Sequence, residues 1–314
     1  MSIKIEWTPM GGVPDTLTLY WSNAPFTVST LPTDKFVVPN SATSYTDTTV
    51  PVNSVRYYLL EAVKAGANTQ YSQCMLYGNY PNTGPGRSSI LRGDWITGYF
   101  GIVPSADMMT VSQLRTAVGA TSLGTAATDA SVVGYHKFIN DGKIIFIPTA
   151  AMTTINTVTW TQIYNLGLAF GVDGPGEAPF PLIDSRWVPP ITAAVNQLKK
   201  VTIGTNQFIV RLPKASTLPT NTAVPTTASG PKSEWWNTIC NMTFTLANQT
   251  AEGLSPYRWG DLALMHPYAA TQHFNGTTNA AISASTADQF GYRSLTGAAN
   301  AAFVQWVPVL ELIL

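Results

Sequence analysis

The sequence has 314 residues, of which 45% are apolar and 11% aromatic, but only 11% are charged, well under the ~25% of an ordinary soluble protein. Seventeen basic and seventeen acidic side chains cancel, four and five of them in residues 1–86 and thirteen and twelve beyond, so no basic surface that tracks nucleic-acid phosphates is expected. The two cysteines, Cys74 and Cys240, are too few for a disulfide framework and read as free buried thiols, no run of about 18 apolar residues marks a membrane helix, and no basic start with an apolar run marks a secretion signal.

The length suggests two domains. The first block reads as strands. Ile3-Lys4-Ile5-Glu6-Trp7 alternates apolar and polar residues, the period of a half-buried strand. Gly11-Gly12-Val13-Pro14-Asp15 is turn chemistry, and Leu17–Trp21 follows as a second strand. Phe36-Val37-Val38 is a short third. Ser44–Thr49 leads into the apolar run Val55–Val63, and the block closes at Tyr71–Tyr77. Short strands separated by turn signals over about 80 residues predict an all-β sandwich.

This block resembles a fibronectin type III domain. The match is carried by Thr43-Ser44-Tyr45-Thr46-Asp47-Thr48, a polar interval, then Arg56-Tyr57-Tyr58-Leu59-Leu60-Glu61-Ala62-Val63 and Tyr71-Ser72. In that family the Tyr-Thr-Asp step precedes the strand whose aromatic packs at the sheet corner. The pattern departs between Trp21 and Phe36, where no strand is placed, and an immunoglobulin-like variant with shifted strands stays open. The resemblance implies a spacer or weak binder over residues 1–78.

Asn79-Tyr80-Pro81-Asn82-Thr83-Gly84-Pro85-Gly86-Arg87-Ser88-Ser89 has no periodic apolar pattern and reads as a linker over 79–89. Beyond it, Ile90–Gly101 opens a second domain over 90–314. Thr110–Val118 is a predicted helix with Val111, Leu114 and Val118 on one face. His136–Ile139 and Lys143–Ile147 flank Asp141-Gly142, a strong hairpin signal, and Pro148 ends the second strand. Thr159, three residues before Gln162, marks a capped helix start. Gly171–Gly176 is a loop. Lys199-Lys200, the only adjacent basic pair, reads as a solvated turn. Val201–Ile203 and Gln207–Leu212 form a second hairpin around Gly204-Thr205-Asn206. Residues 215–230 are rich in Thr, Pro and Ala and read as an exposed loop. Glu234–Cys240 is a helix candidate, and Phe303–Leu312 a buried closing strand. Trp95, Trp160, Trp235 and Trp306 sit in these predicted elements and are expected in the core. Hairpins broken by short helices and long loops predict an α+β domain, mostly β.

The second block resembles a group of virion structural and tail-appendage proteins of tailed phages. Four stretches carry the likeness: Gly93-Asp94-Trp95 to Gly98-Tyr99-Phe100-Gly101, Tyr135 to Pro148, Ser233-Glu234-Trp235-Trp236-Asn237, and Trp306-Val307-Pro308-Val309-Leu310-Glu311-Leu312. In that group the ending is similar to the last strand of a C-type-lectin-like or sulfatase-modifying-factor-like domain. Val307 stands where many relatives carry Arg. The expected architecture is therefore a β-sandwich N-terminal domain followed by an α+β, lectin-like C-terminal domain. The resemblance implies a structural protein of the virion, made in the host bacterial cytoplasm, with capsid, collar or tail proteins as partners and a homo-oligomeric assembly. Head decoration, collar whisker, tail fibre and baseplate all fit. The alternative is a dedicated receptor-binding adhesin for host-surface glycan.

Signals for catalysis are sparse. His136 lies in the first hairpin and reads as structural. His266 and His273, with Asp261 nearby, offer metal-ligand types without helical spacing, and loop residues without metal are the favoured reading. Asp173 and Glu177 flank a glycine-rich loop that suits calcium or, more simply, a turn. No Gly-x-Ser-x-Gly elbow or phosphate loop is present. No enzyme activity, metal or cofactor is expected. Aromatics are the functional surplus, since sugar rings stack on Trp and Tyr while Asn and Asp bond their hydroxyls. Tyr257, Trp259, Asp261, His266, Tyr268, His273 and Asn275 mix these types in what reads as loop and form the candidate glycan surface, against core packing and virion contacts as the plainer explanation.

Overall fold

The structure, a computed structural model, describes residues 2–8, 12–154, 157–176, 193–214, 234–240, 242–243, 269–275, 280–284, 293–294 and 305–314. It is mostly β, built from antiparallel sheets. The chain falls into two compact units, Met1–Thr83 with Asp94–Ile96 and Leu314, and Gly84–Gly93 with Thr97–Ile313.

The first unit contains β1 (Ile3–Glu6), β2 (Thr16–Ser22), β3 (Lys35–Val38), β4 (Ser44–Asp47), β5 (Ser54–Val63), β6 (Gln70–Tyr71) and β7 (Met75–Asn79). β1 pairs with β4, and the second sheet runs β3-β2-β5-β6 with β7 also on β5. Alternation decides which side chains go inward. Ile3 and Ile5 are buried while Lys4 and Glu6 are exposed, and Leu17, Leu19, Val38, Val50, Tyr58 and Leu60 complete the core between the sheets. Each such apolar side chain contributes about 1.5–3 kcal/mol of burial free energy. Between β2 and β3, where no strand is expected from sequence, the chain makes a 3-10 turn, Val28–Thr30.

A buried ionic cluster sits at the junction of β4 and β5. Asp47 is fully buried and accepts four hydrogen bonds: from Thr49 N (2.8 Å), Thr49 Oγ1 (2.7 Å), Arg56 Nη1 (2.8 Å) and Tyr58 Oη (2.7 Å). The Arg56 guanidinium also lies 3.8 Å from the Trp21 ring centre. Burial pushes the Asp47 carboxyl up, but the hydrogen bonds from Tyr58, Thr49 and Arg56 outweigh it and hold the group below its ordinary value. Asp47 is the Asp of the Tyr-Thr-Asp step singled out in the sequence.

The second unit is organised on a seven-stranded sheet. Its strands are β8 (Arg92–Gly93), β9 (Thr97–Pro104), β10 (Gly134–Asn140), β11 (Lys143–Pro148), β12 (Lys199–Ile203) and β13 (Asn206–Arg211). After a smaller sheet of β14 (Ala269–Asn275), β15 (Ala280–Ala284) and β16 (Arg293–Ser294), the last strand, β17 (Val309–Leu312), enters the large sheet at its centre. The order is β12-β13-β17-β11-β10-β9-β8, with Leu310 opposite both Phe146 and Val210. β10 and β11 are buried along nearly their whole length, so both faces of the sheet are covered. One face packs Phe138, Ile145, Ile147, Val307 and Val309 against Trp235 and Ile239. Their hairpin turns at Asp141 and Gly142, with φ of 50° and 75°, the left-handed geometry that Asp-Gly supplies.

Helix α1 (Val111–Ala117) is capped by Thr110, which accepts from Gln113 N, and α2 (Trp160–Asn165) by Thr159, which accepts from Gln162 N. Val111, Leu114 and Val118 are all buried, as the spacing predicts. The Glu234–Cys240 segment is helical but π-wound over Trp236–Cys240.

Four expectations change. Trp95 is half-exposed and not in the core: it sits in the turn joining β8 to β9, and its ring stacks on Tyr80 (5.3 Å, planes 3° apart). Lys199 and Lys200 open strand β12 and are not a turn, the edge of the sheet leaving their ammoniums an outlet to water. Cys74 is free but only half-buried. The second hairpin turns on two residues, Gly204 and Thr205, since Ile203 pairs directly with Asn206.

Candidate functional site: a cleft in the first unit

The first unit holds a cavity of about 540 Å³, within the ~300–1,000 Å³ range of ligand pockets. Leu17, Leu60 and Ala62, from β2 and β5, line it together with Ala42. Trp7 adds an aromatic surface. Its Nε1 donates to the Ala42 carbonyl (2.9 Å), which fixes the indole and leaves only ring surface for a ligand. Thr8, Asn40, Ser41, Gln70 and Ser72 supply neutral polar groups. No ionisable side chain is among the lining residues. An apolar interior with neutral hydrogen-bonding groups selects for uncharged, largely apolar material.

β6 borders this cleft. It is the last strand of its sheet order and is paired with β5. Gln70 and Ser72, two residues apart, both line the cleft, whereas Tyr71 between them donates to Glu61 (2.8 Å). Glu61 also accepts from Tyr20 (3.1 Å). That Tyr20–Glu61–Tyr71 clasp raises the Tyr71 hydroxyl above its usual value, chiefly through the Glu61 hydrogen bond. Ser72 Oγ accepts from Leu60 N (2.9 Å) and tethers the chain just after β6.

Several charged groups of the second unit serve its interior. Arg211 forms a two-point pair with Glu234 (2.8 and 2.6 Å) and reaches Glu311 through Nε (2.8 Å), whose other oxygen takes Lys143 (2.8 Å). Burial alone would push Glu311 up, but Arg211 and Lys143 beside it hold its carboxyl below the usual range. Arg115 donates to the carbonyls of Leu123, Thr121 and Gly124. Lys137, fully buried in the middle of β10, donates to Pro85 O (3.0 Å) and Arg87 O (2.7 Å) and lies 4.9 Å from the Phe100 ring centre. The Pro- and Gly-rich stretch that has no partner in the sequence thus has one in the structure. Burial lowers the Lys137 ammonium to about 8. His136 is buried, and its Nδ1 shares a 3.0 Å hydrogen bond with the Tyr99 hydroxyl, which burial pushes up to about 12.

Of the sequence-derived glycan surface, Tyr257, Trp259, Asp261, His266 and Tyr268 lie outside the described residues. His273 and Asn275 are on β14, a strand and not a loop, with Asn275 opposite Ala280. The strand was hidden because its partner, Ala-Ala-Ile-Ser-Ala, has Ile282 as its one strand-favouring residue among alanines and a serine. Gln272, next to His273, fastens β14 by donating to the Phe170 and Leu212 carbonyls (3.3 and 3.1 Å). Asp173 accepts from Asn196 Nδ2 (2.7 Å), and Glu177 lies outside the described residues. Among the described residues no three His, Cys, Asp or Glu side chains converge as metal ligands do, and no helix is long and apolar enough to cross a membrane. The cleft itself had no sequence signal: Trp7, Leu17 and Gln70 meet only through the strand pairing.

No family model matches the chain, and neither does any curated protein or solved structure.

Proposed function

We propose that this chain is a structural component of a tailed-phage virion, a head-decoration, collar, whisker or tail-appendage protein, that works by contact with other virion proteins. In this reading the first unit is a fibronectin type III or immunoglobulin-like module and the second a C-type-lectin-like one, and the protein assembles with copies of itself. The observation that carries it is how little charge the chain has. The chain has only 34 Lys, Arg, Asp and Glu residues. Asp47, Arg56, Arg115, Lys137, Arg211 and Glu234 are buried and engage one another or backbone carbonyls. Over the whole sequence Thr, Ser, Asn, Ala and Gly stand where charged residues usually do. Interface cores are depleted of charge in the same way, whereas a free monomer keeps charge for solubility.

The second reading is an adhesin for host-surface glycan. It is favoured by the 11% aromatic content, since sugar rings stack on Trp and Tyr faces. Quantitative mass spectrometry and antibody labelling of gradient-purified virions test the first reading. The chain is expected in fixed proportion to the capsid protein, and a chain found only as soluble monomer outside the particles refutes it. Glycan-array binding that Trp259→Ala or Tyr268→Ala abolishes, with incorporation unchanged, supports the adhesin.

A further inference from the structure

We propose that the free edge of β6, together with the apolar cleft beside it, is a docking site for an extended segment of a partner protein, added as a further strand with uncharged apolar side chains at alternate positions. Three observations converge. Among the described residues the two-residue β6 ends its sheet, so its outer backbone groups are those an incoming strand pairs with. The same strand lines the cleft through Gln70 and Ser72, so a strand added there brings every second side chain to the opening. The lining has no ionisable group, which admits Val, Ile, Leu or Phe and penalises a carboxylate or ammonium through desolvation.

The opposite edge of this sheet differs. β3 ends it with Lys35 and Val37 outward, the latter 81% exposed, and its inward Phe36 is stacked between Trp21 and Tyr45. Backbone pairing gives affinity at any strand edge, but a side-chain pocket is needed for selectivity, and β6 has both.

This inference does not depend on the virion assignment, because the purified full-length chain tests it without particles. The probe is a fluorescein-labelled, C-terminally amidated hexapeptide alternating Val and Thr, read by fluorescence anisotropy. Saturable binding is expected. A peptide with Asp in place of each Val, and peptides N-methylated on alternate nitrogens in either register, are expected to divide accordingly: the Asp peptide and one of the two methylated registers bind at least about tenfold more weakly. Ala62→Arg fills the cleft and Gln70→Lys places a charge at its exposed rim; both are expected to weaken the Val peptide at least about tenfold. Gln70 is exposed, so that variant keeps its melting temperature and carries the test if Ala62→Arg disturbs folding. Equal binding of the Val and Asp peptides, full binding of both methylated peptides, or unchanged binding by Gln70→Lys overturns the proposal. Self-association that Gln70→Lys abolishes, with no peptide bound, gives the edge to a second copy and overturns it as well.

Discussion

Asp47→Ala removes the acceptor at the centre of the first unit's ionic cluster. The Arg56 guanidinium, buried with its residue 4% exposed, then keeps only the Thr49 hydroxyl and the Trp21 ring, and the Tyr58 hydroxyl loses its 2.7 Å acceptor. Breaking a buried pair by removing one partner costs about 3–5 kcal/mol. For a unit of roughly this size each kcal/mol lowers the midpoint by about 4–8 °C, so a loss of about 12–40 °C is expected in the first unit's transition. Differential scanning calorimetry reads the shift, and hydrogen exchange in peptides from β2 and β5 assigns it to the first unit. Asp47→Asn keeps one carbonyl acceptor and is expected to cost less. The double variant Asp47→Ala, Arg56→Met is expected to be more stable than the sum of the singles, because the stranded cation is gone. The pH dependence has a defined sign. Asp47 titrates lower in the folded unit than in the unfolded chain, so its contribution is full above the unfolded value near 4 and is lost as pH falls through the folded value. Wild type is therefore expected to lose its advantage over Asp47→Asn below pH 4. An Asp47→Ala protein within about 1 kcal/mol of wild type, or a wild-type advantage that persists unchanged to pH 2, refutes the reasoning.

Lys137→Met leaves the Pro85 and Arg87 carbonyls without their donor and is expected to cost about 1–3 kcal/mol, with faster hydrogen exchange in residues 84–89. Burial lowers the folded Lys137 value to about 8. The unfolded chain therefore binds more protons between about pH 8 and 10.4, and wild-type stability relative to Lys137→Met is expected to rise across that window in urea titrations. Arg211→Met strands the Glu234 carboxylate, leaves Glu311 with Lys143 alone, and is expected to cost about 3–5 kcal/mol, read as a lower midpoint for the second unit's transition. Thr110→Ala removes the cap of α1 and is expected to cost about 1 kcal/mol, measured by chemical denaturation.

Local chemistry was legible in the sequence wherever a few adjacent residues decide the outcome. Asp141-Gly142 named its hairpin, and Thr110 and Thr159 named their helix starts, because turn and cap geometry depend on side chains within three residues. Alternation placed β1. Long-range outcomes were not legible. Lys137 breaks the apolar run of β10 as a surface residue would, and only the arrival of residues 85–87 over it explains its burial. Trp95 reads as core because it falls within a stretch taken as a regular element, but a turn holds it half-exposed. The candidate cleft needs β1, β2, β5 and β6 in place before it exists, and no stretch of sequence encodes its neutral lining. His273 and Asn275 were assigned to the wrong kind of element because their alanine-rich partner strand offers only Ile282 as a β-favouring residue.

The placement of β17 imposes an order on biosynthesis. Lys143 and its partner Glu311 are 168 residues apart, and ribosomes add about 5–20 residues per second. The β10–β11 hairpin therefore waits on the order of 10–30 s on a nascent chain with the apolar edge of β11 bare. During that interval it is a template for pairing with a neighbouring chain. Slower translation through the intervening region lengthens that exposure, so yield of the folded protein should track elongation rate and chaperone supply more closely than it tracks the stability of the finished sheet.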